Sequence, residues 1–311
     1  MALDSITLYH LINELRLELI GTRIDRIVQP EKEEIHLILR GSKRPLRRLL
    51  LNAGSTSARI HLTDENKKNP TSAPMFCMIL RKHLESGKII DIQQVRLERI
   101  ITIFIENYND RGDLQTFHLH LEIMGKHSNL ILVDPQTNII LDGLRRYSHL
   151  VSRYREVLPG RQYLSPPNQH KADLVTNEES WMSLFLQHDL DRRISEALVE
   201  LVNGISPELA KELVLRSGLE QDTVLDRCGE IDLSRLYQAY SFFILDREKA
   251  ILEPGIYYES NRKRDLPFTF SFIPYLQYSE MRVQKVSTVN EAVSLYYSKK
   301  ITSHNTEAKR G

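Results

Sequence analysis

In a series of short stretches between Arg23 and Leu141 the apolar residues follow a period of two, and Gly, Pro, Asn and Asp clusters fall between many of these stretches. A period of two sends successive side chains to opposite faces of a pleated strand. It predicts strands over Arg23–Val28, Glu34–Arg40, Arg47–Ala53, Ala58–Thr63, Lys88–Val95, Arg99–Tyr108, Leu114–Met124, Asn129–Val133 and Ile139–Leu141. No repeating helix-length crossover separates them, so the expected sheet or sandwich is mainly antiparallel and the class α+β.

Two helices accompany these strands. Asp4–Ile20 carries Leu8, Leu11, Ile12, Leu15 and Leu19 at three- and four-residue spacing, with Asp4 or Ser5 as N-cap and Gly21 as terminator. Met75–Ser86 lies between Pro74 and Gly87. Met75, Phe76, Ile79, Leu80 and Leu84 supply its apolar side, and Arg81-Lys82-His83 reads as a solvated face. Pro159-Gly160 and Pro166-Pro167 mark a boundary. Beyond it the pattern predicts helices over Glu178–His188, Leu190–Val202, Pro207–Ser217 and Leu233–Ile251. Short strands follow near residues 255–259, 268–273 and 280–286, then a helix over Val289–Ile301 and a polar tail.

At 311 residues the chain suits about two domains. Its 42 basic and 41 acidic residues leave a net charge of +1, so any polyanion-binding signal is local. Cys77 and Cys228 form neither a disulfide framework nor a zinc pattern, which points to a reducing, cytosolic setting. The first residues lack the basic and apolar regions of a secretory signal, and no run of 18 apolar residues would span a membrane.

Four stretches are candidates for binding. Lys126, His127, Ser128 and Asn129 crowd donors at a strand-to-strand reversal in EIMGKHSN. The segment LRRYSHLVSRYREVLPGRQY sets Arg145, Arg146, Arg153, Arg155 and Arg161 among tyrosines with Glu156 as its single acid. That suits phosphates and stacked bases, or else a solvated connector. VNGISPELAKELV fits a helix-hairpin-helix with Ser206 in place of the second glycine. Gly204, Ser206 and Lys211 would then meet a phosphate at a helix N-terminus, the alternative being a plain helical corner. Glu98-Arg99, between two strands, reads as an ion pair or a phosphate contact. Arg111-Gly112-Asp113 spells an adhesive tripeptide where a turn needs such residues anyway. His118 and His120 share a strand face but have no third ligand at a recognisable spacing, so no metal and no cofactor is expected. GxSxG, Walker, GxGxxG and HExxH patterns are absent, so nothing local argues for covalent catalysis.

Taken in order, PMFCMILRKHLE at 74–85, LERI at 97–100, EIMGKHSNLILVD at 122–134, Asp142-Gly143-Leu144 and VLPGRQY at 157–163 resemble the NFACT family. The resemblance implies a MutM/Fpg-glycosylase-like lobe over 1–168 and a helix-hairpin-helix module over 169–230. A helix and short strands over 231–301 and a tail over 302–311 would lead towards a coiled coil. It implies binding to the large ribosomal subunit with peptidyl-tRNA, recruitment of alanyl-tRNA, and mRNA-independent alanine tailing of stalled chains, in the cytoplasm. An acidic residue near the start and an acid-arginine pair are carried over as Asp4 and Glu98-Arg99. Glu98 stands where the family has Asp, one methylene longer. The chain begins Met1-Ala2-Leu3 rather than with the glycosylases' Pro-Glu and lacks their zinc-finger cysteines, so a grip rather than an enzyme is expected. Many bacterial members are described as fibronectin-binding, which keeps a surface adhesin as the alternative.

Overall fold

The computed structural model describes residues 3–41, 45–167, 169–259 and 266–308, with 303–308 as backbone only. The chain forms two compact units, Leu11–Pro167 and Met1–His10 with Asn168–Gly311. The first helix, α1 (Ser5–Leu19), is therefore divided between them.

In the first unit, α1 buries Leu11, Ile12, Leu15 and Leu19. Strands β1 (Arg23–Glu31), β2 (Glu34–Arg40), β3 (Arg47–Asn52) and β4 (Arg59–Leu62) form a meander. Helix α2 (Met75–Leu84) then leads to β5 (Lys88–Gln94), β6 (Ile100–Tyr108), β7 (Leu114–Glu122), β8 (Asn129–Asp134) and β9 (Ile139–Gly143). The nine-stranded sheet runs β4-β3-β2-β1-β5-β6-β7-β8-β9 and every pairing is antiparallel. β1 and β5 meet only at Arg23 and Lys88, so the sheet is pinched between its two halves. Helix α2 buries Phe76, Cys77, Leu80 and Leu84, whereas Met75, expected on that side, is 63% exposed.

The second unit is helical first. Asn177 caps α3 (Glu178–Leu186) by accepting from Ser180 N at 2.8 Å. Trp181, fully buried, packs on Tyr240 with ring centroids 4.7 Å apart. α4 (Ile194–Leu201) and α5 (Pro207–Arg216) are joined by a turn that Gly204 permits at φ +79°. α6 (Glu230–Tyr240) passes into a π-helical turn at Ser241–Leu245 and a 3-10 turn at Arg247–Lys249, where the periodicity predicts one helix to Ile251. β10 (Gly255–Tyr258) is the middle of a three-stranded antiparallel sheet between β11 (Pro267–Ser271) and β12 (Arg282–Lys285). α7 (Val289–Ala308) outlasts the predicted helix because no Gly or Pro interrupts 302–308; residues 309–311 of the expected tail lie outside the described residues.

Candidate nucleic-acid interface

The EIMGKHSN stretch is a single 3-10 turn, Gly125–His127, between β7 and β8. Gly125 takes φ +56°, a conformation that favours glycine. Ser128 Oγ accepts from Met124 N at 2.9 Å, and His127 N donates to Met124 O. Asn129 works in both directions: its Oδ1 accepts from Arg145 N and its Nδ2 donates to Arg145 O, each at 2.9 Å. The Arg145 guanidinium then donates to Ser128 O at 2.6 Å and Lys126 O at 3.3 Å, and pairs with Glu33 in the β1–β2 turn. Lys126 and His127 are left exposed on a closed turn. Ser128 and Asn129, both buried, shape that turn.

Other loops gather at the same end of this unit. Ile123 N donates to Arg99 O at 2.8 Å, which sets the Glu98-Arg99 turn beside the start of the Lys126-His127 turn. Glu98 and Arg99 are both half-buried, and Glu98 O accepts from Gln94 Nε2. The β3–β4 loop also approaches, since a Cβ on Gly125 would lie 3.9 Å from Ser55 O.

Two buried networks support this end. Glu34, Asn52 and Arg59 stand in register across β2, β3 and β4. Asn52 Nδ2 donates to Glu34 Oε2 at 3.0 Å, while His36 and Lys67 contact Glu34 Oε1 at 2.8 and 2.9 Å. Burial opposes ionisation of Glu34, but hydrogen bonds from His36 and Lys67 and the charges of Lys67 and Arg59 hold its pKa down at about 2. Arg59 Nε donates to His61 Nε2, and burial with that guanidinium lowers the His61 pKa to about 3.

The second network gives Arg155 an occupation other than the phosphate contact expected of it. Its side chain is 6% exposed, pairs bidentately with the fully buried Glu122, and donates to Leu164 O at 2.7 Å. Tyr163 OH donates to Glu122 at 2.9 Å, and burial, then Glu122, push the phenol pKa upward. His120 lies flat on Tyr163 at 4.4 Å and bonds Thr102 at 2.8 Å, so it is fully engaged in packing. Arg146 is bidentate on Asp142 but half exposed. Arg153 is exposed with no acidic partner among the described residues.

Asp4, Gly204, Ser206 and Lys211 fall in the other unit. Asp4 Oδ1 accepts from Thr7 N at 2.8 Å, capping α1, and Oδ2 accepts from Ser206 Oγ at 2.9 Å. Ser206 in turn caps α5 through Leu209 N at 3.1 Å. Glu208, whose pKa is raised by burial and by Asp4, bonds Thr269 in the same first turn. The α5 N-terminus thus already holds carboxylates, which oppose a phosphate there. Lys211, one turn in, is exposed.

Sequence reasoning missed Glu33, Asn129's clamp and the Glu122–Arg155–Tyr163 set. The one local signal was Glu122 continuing the His118-His120 face of a strand whose other face is Phe117, Leu119 and Leu121. Among the described residues no three His, Cys, Asp or Glu side chains are grouped to hold a metal, and no helix is long and apolar enough to cross a membrane.

Comparison with known proteins adds relatives to this geometry. A family model described as NFACT N-terminal and middle domains matches residues 4–311. "Rqc2 homolog RqcH" of Bacillus subtilis is 38% identical over 227 residues, 73% of this chain and 40% of that protein. The Streptococcus suis protein of the same description is 34% identical over 78% of this chain and 41% of its own length. The chain thus spans about two fifths of these relatives. Among solved structures, the N-terminal part of the fibronectin/fibrinogen-binding protein of Streptococcus suis superposes with a TM-score of 0.77 at 27% identity, covering 96% of this chain and 99% of that one. The fibrinogen-binding protein of Staphylococcus aureus gives 0.76 at 28%, with the same coverage.

Proposed function

The chain belongs to the NFACT family, and from that premise we propose that it is the RNA-gripping N-terminal part of a ribosome quality control factor. In this reading it acts in the cytoplasm on the large ribosomal subunit with peptidyl-tRNA. It helps hold alanyl-tRNA while stalled nascent chains receive a C-terminal alanine tail. The observation that carries the reading is the pairing of two loops. Ile123 N bonded to Arg99 O brings the Glu98-Arg99 turn beside a rigid tip that offers Lys126 and His127 outward. Hydrogen-bond donors on a fixed backbone suit phosphates, because little backbone freedom remains to be lost on binding. The lobe would act by holding RNA, with no covalent step of its own.

The test is binding of tRNA to the 311-residue chain as salt is raised. Affinity is expected to fall steeply with salt, and Lys126→Ala with His127→Ala to weaken binding about tenfold and flatten the salt slope by roughly one to two phosphate contacts. Unchanged binding in that variant and in Arg99→Ala would remove these residues from the site.

A second reading, a surface adhesin, is favoured by one local feature, an integrin-binding tripeptide. Arg111-Gly112-Asp113 is exposed on a turn in which Asn109 Oδ1 accepts from both Arg111 N and Asp113 N, with Gly112 at φ +83°. An immobilised integrin that captures this chain, but not Asp113→Ala, would support it.

A further inference from the structure

Leu150 and Val151 are 97% and 79% exposed, and Leu150 is the most exposed large apolar side chain among the described residues. They sit at the tip of an excursion that leaves the first unit at Tyr147 and returns at Val157. Its base is closed by two backbone hydrogen bonds between Tyr147 and Val157, at 3.1 and 2.9 Å. Val157 is anchored in a core of Ile131, Val133 and Ile140. The tip is folded on itself as well. Val151 N and Ser152 N both donate to Ser148 O, Leu150 N to Ser148 Oγ, and His149 N to Glu156. Two aliphatic side chains are thus held in water on a stiff stalk, where they contribute nothing to the core.

The collar around them is cationic on its solvent side. Arg153, Arg161 and Arg146 are exposed, while the acids paired with Arg146 and Arg161 lie beneath, Asp142 at 1% and Glu156 at 14% side-chain exposure. Tyr154 adds an aromatic ring that is 53% exposed. Apolar side chains flanked by arginines are how nucleic-acid-binding proteins prise base steps apart, and exposed aromatics are how they seat a freed base.

We propose that the 148–154 loop is an RNA wedge. Leu150 and Val151 press against a base step at a helix end or junction, Tyr154 stacks on the loosened base, and Arg153 and its neighbours hold the adjoining phosphates. This rests on the RNA-gripping reading above and adds that RNA is recognised through an unstacked base. A polyanion fits the collar's charge. RNA fits better than an anionic membrane because the same stretch continues directly from Arg145, which braces the Lys126-His127 turn. A pair of aliphatic residues without a longer amphipathic face also gives little membrane insertion.

The experiment uses the 311-residue chain and a short RNA hairpin with 2-aminopurine in its terminal base pair, whose fluorescence rises on unstacking. The parent chain should raise the signal. Leu150→Ser with Val151→Ser should abolish the rise and weaken binding about tenfold, with an unchanged melting temperature, since neither side chain is packed. Salt-sensitive RNA binding without a fluorescence rise in the parent chain overturns the wedge and leaves the RNA reading standing. Absence of RNA binding at any salt overturns both. If the double variant keeps full RNA affinity but no longer sediments with phosphatidylserine vesicles that the parent binds, the loop is a membrane contact and the wedge is wrong.

Discussion

Glu122 and Arg155 show how much a single residue's role depends on partners far along the chain. In sequence Arg155 is one of five arginines in a twenty-residue stretch and is chemically indistinguishable from Arg153. In the fold it neutralises a fully buried carboxylate 33 residues away, while Arg153 faces solvent. Removing one partner of a buried pair leaves the other charge uncompensated and typically costs about 3–5 kcal/mol, whereas replacing both with apolar groups costs far less. Arg155→Ala is therefore expected to lower the denaturation midpoint sharply, and Glu122→Leu with Arg155→Met to recover most of the loss. Equal loss in both variants, read by urea titration, would show that the pair is not the source. The surface residues Lys126 and His127 should behave oppositely, changing RNA affinity at constant stability.

At the scale of elements, Asp4 and Ser206 lock two helix starts together. One carboxylate oxygen caps α1, the other takes the hydroxyl that caps α5. An N-cap is worth about 1 kcal/mol, up to about 2. Ser206→Ala and Asp4→Ala should each destabilise by about that much, and the double variant by less than their sum, because the two share a hydrogen bond. Additive losses in thermal melts would mean that the two caps act independently. The helix-hairpin-helix pattern in the sequence pointed outward, to a phosphate at the α5 N-terminus. Spacing alone could not reveal that a residue 202 positions earlier supplies the anion. The end of α6 departs from the periodicity for a related reason: apolar residues continue through Phe242, Phe243 and Ile244, but the hydrogen bonding changes register to a π-turn there.

For the whole molecule, the buried histidines set the response to acid. Burial, with neighbouring Arg247, Arg59 or His118 and Arg155, lowers His10 to about 4 and His61 and His120 to about 3, against 6.5 when unfolded. Below pH 6.5 the unfolded chain therefore takes up protons that the folded chain refuses, and stability falls as pH falls. Each such histidine adds a slope approaching about 1.4 kcal/mol per pH unit between pH 4 and 6. Glu34, ionised down to about pH 2 in the fold and to about 4.5 unfolded, contributes stability above pH 4.5 that is lost as pH falls from there towards 2. Urea midpoints measured from pH 7 to pH 4 should decline from about 6.5 and steepen below 4.5, with His120→Gln flattening the upper limb. A midpoint constant over that range would mean that these side chains are not buried neutral.

Most strand and helix positions, the antiparallel pairing and the turn at Gly125 were legible in the chain itself, because period-two and period-3.6 burial and positive-φ glycines are local properties. The family resemblance was equally local, carried by strings such as PMFCMILRKHLE and EIMGKHSN. Only the tertiary structure decided which charged residues face water. Both faces of β2 and β7 are covered, so Glu34, His36, His120 and Glu122 are buried although they alternate with apolar neighbours as solvent-facing residues would. Alternation reports two faces, but whether the second is wet depends on segments such as 155–163 and Lys67 that arrive from elsewhere in the chain.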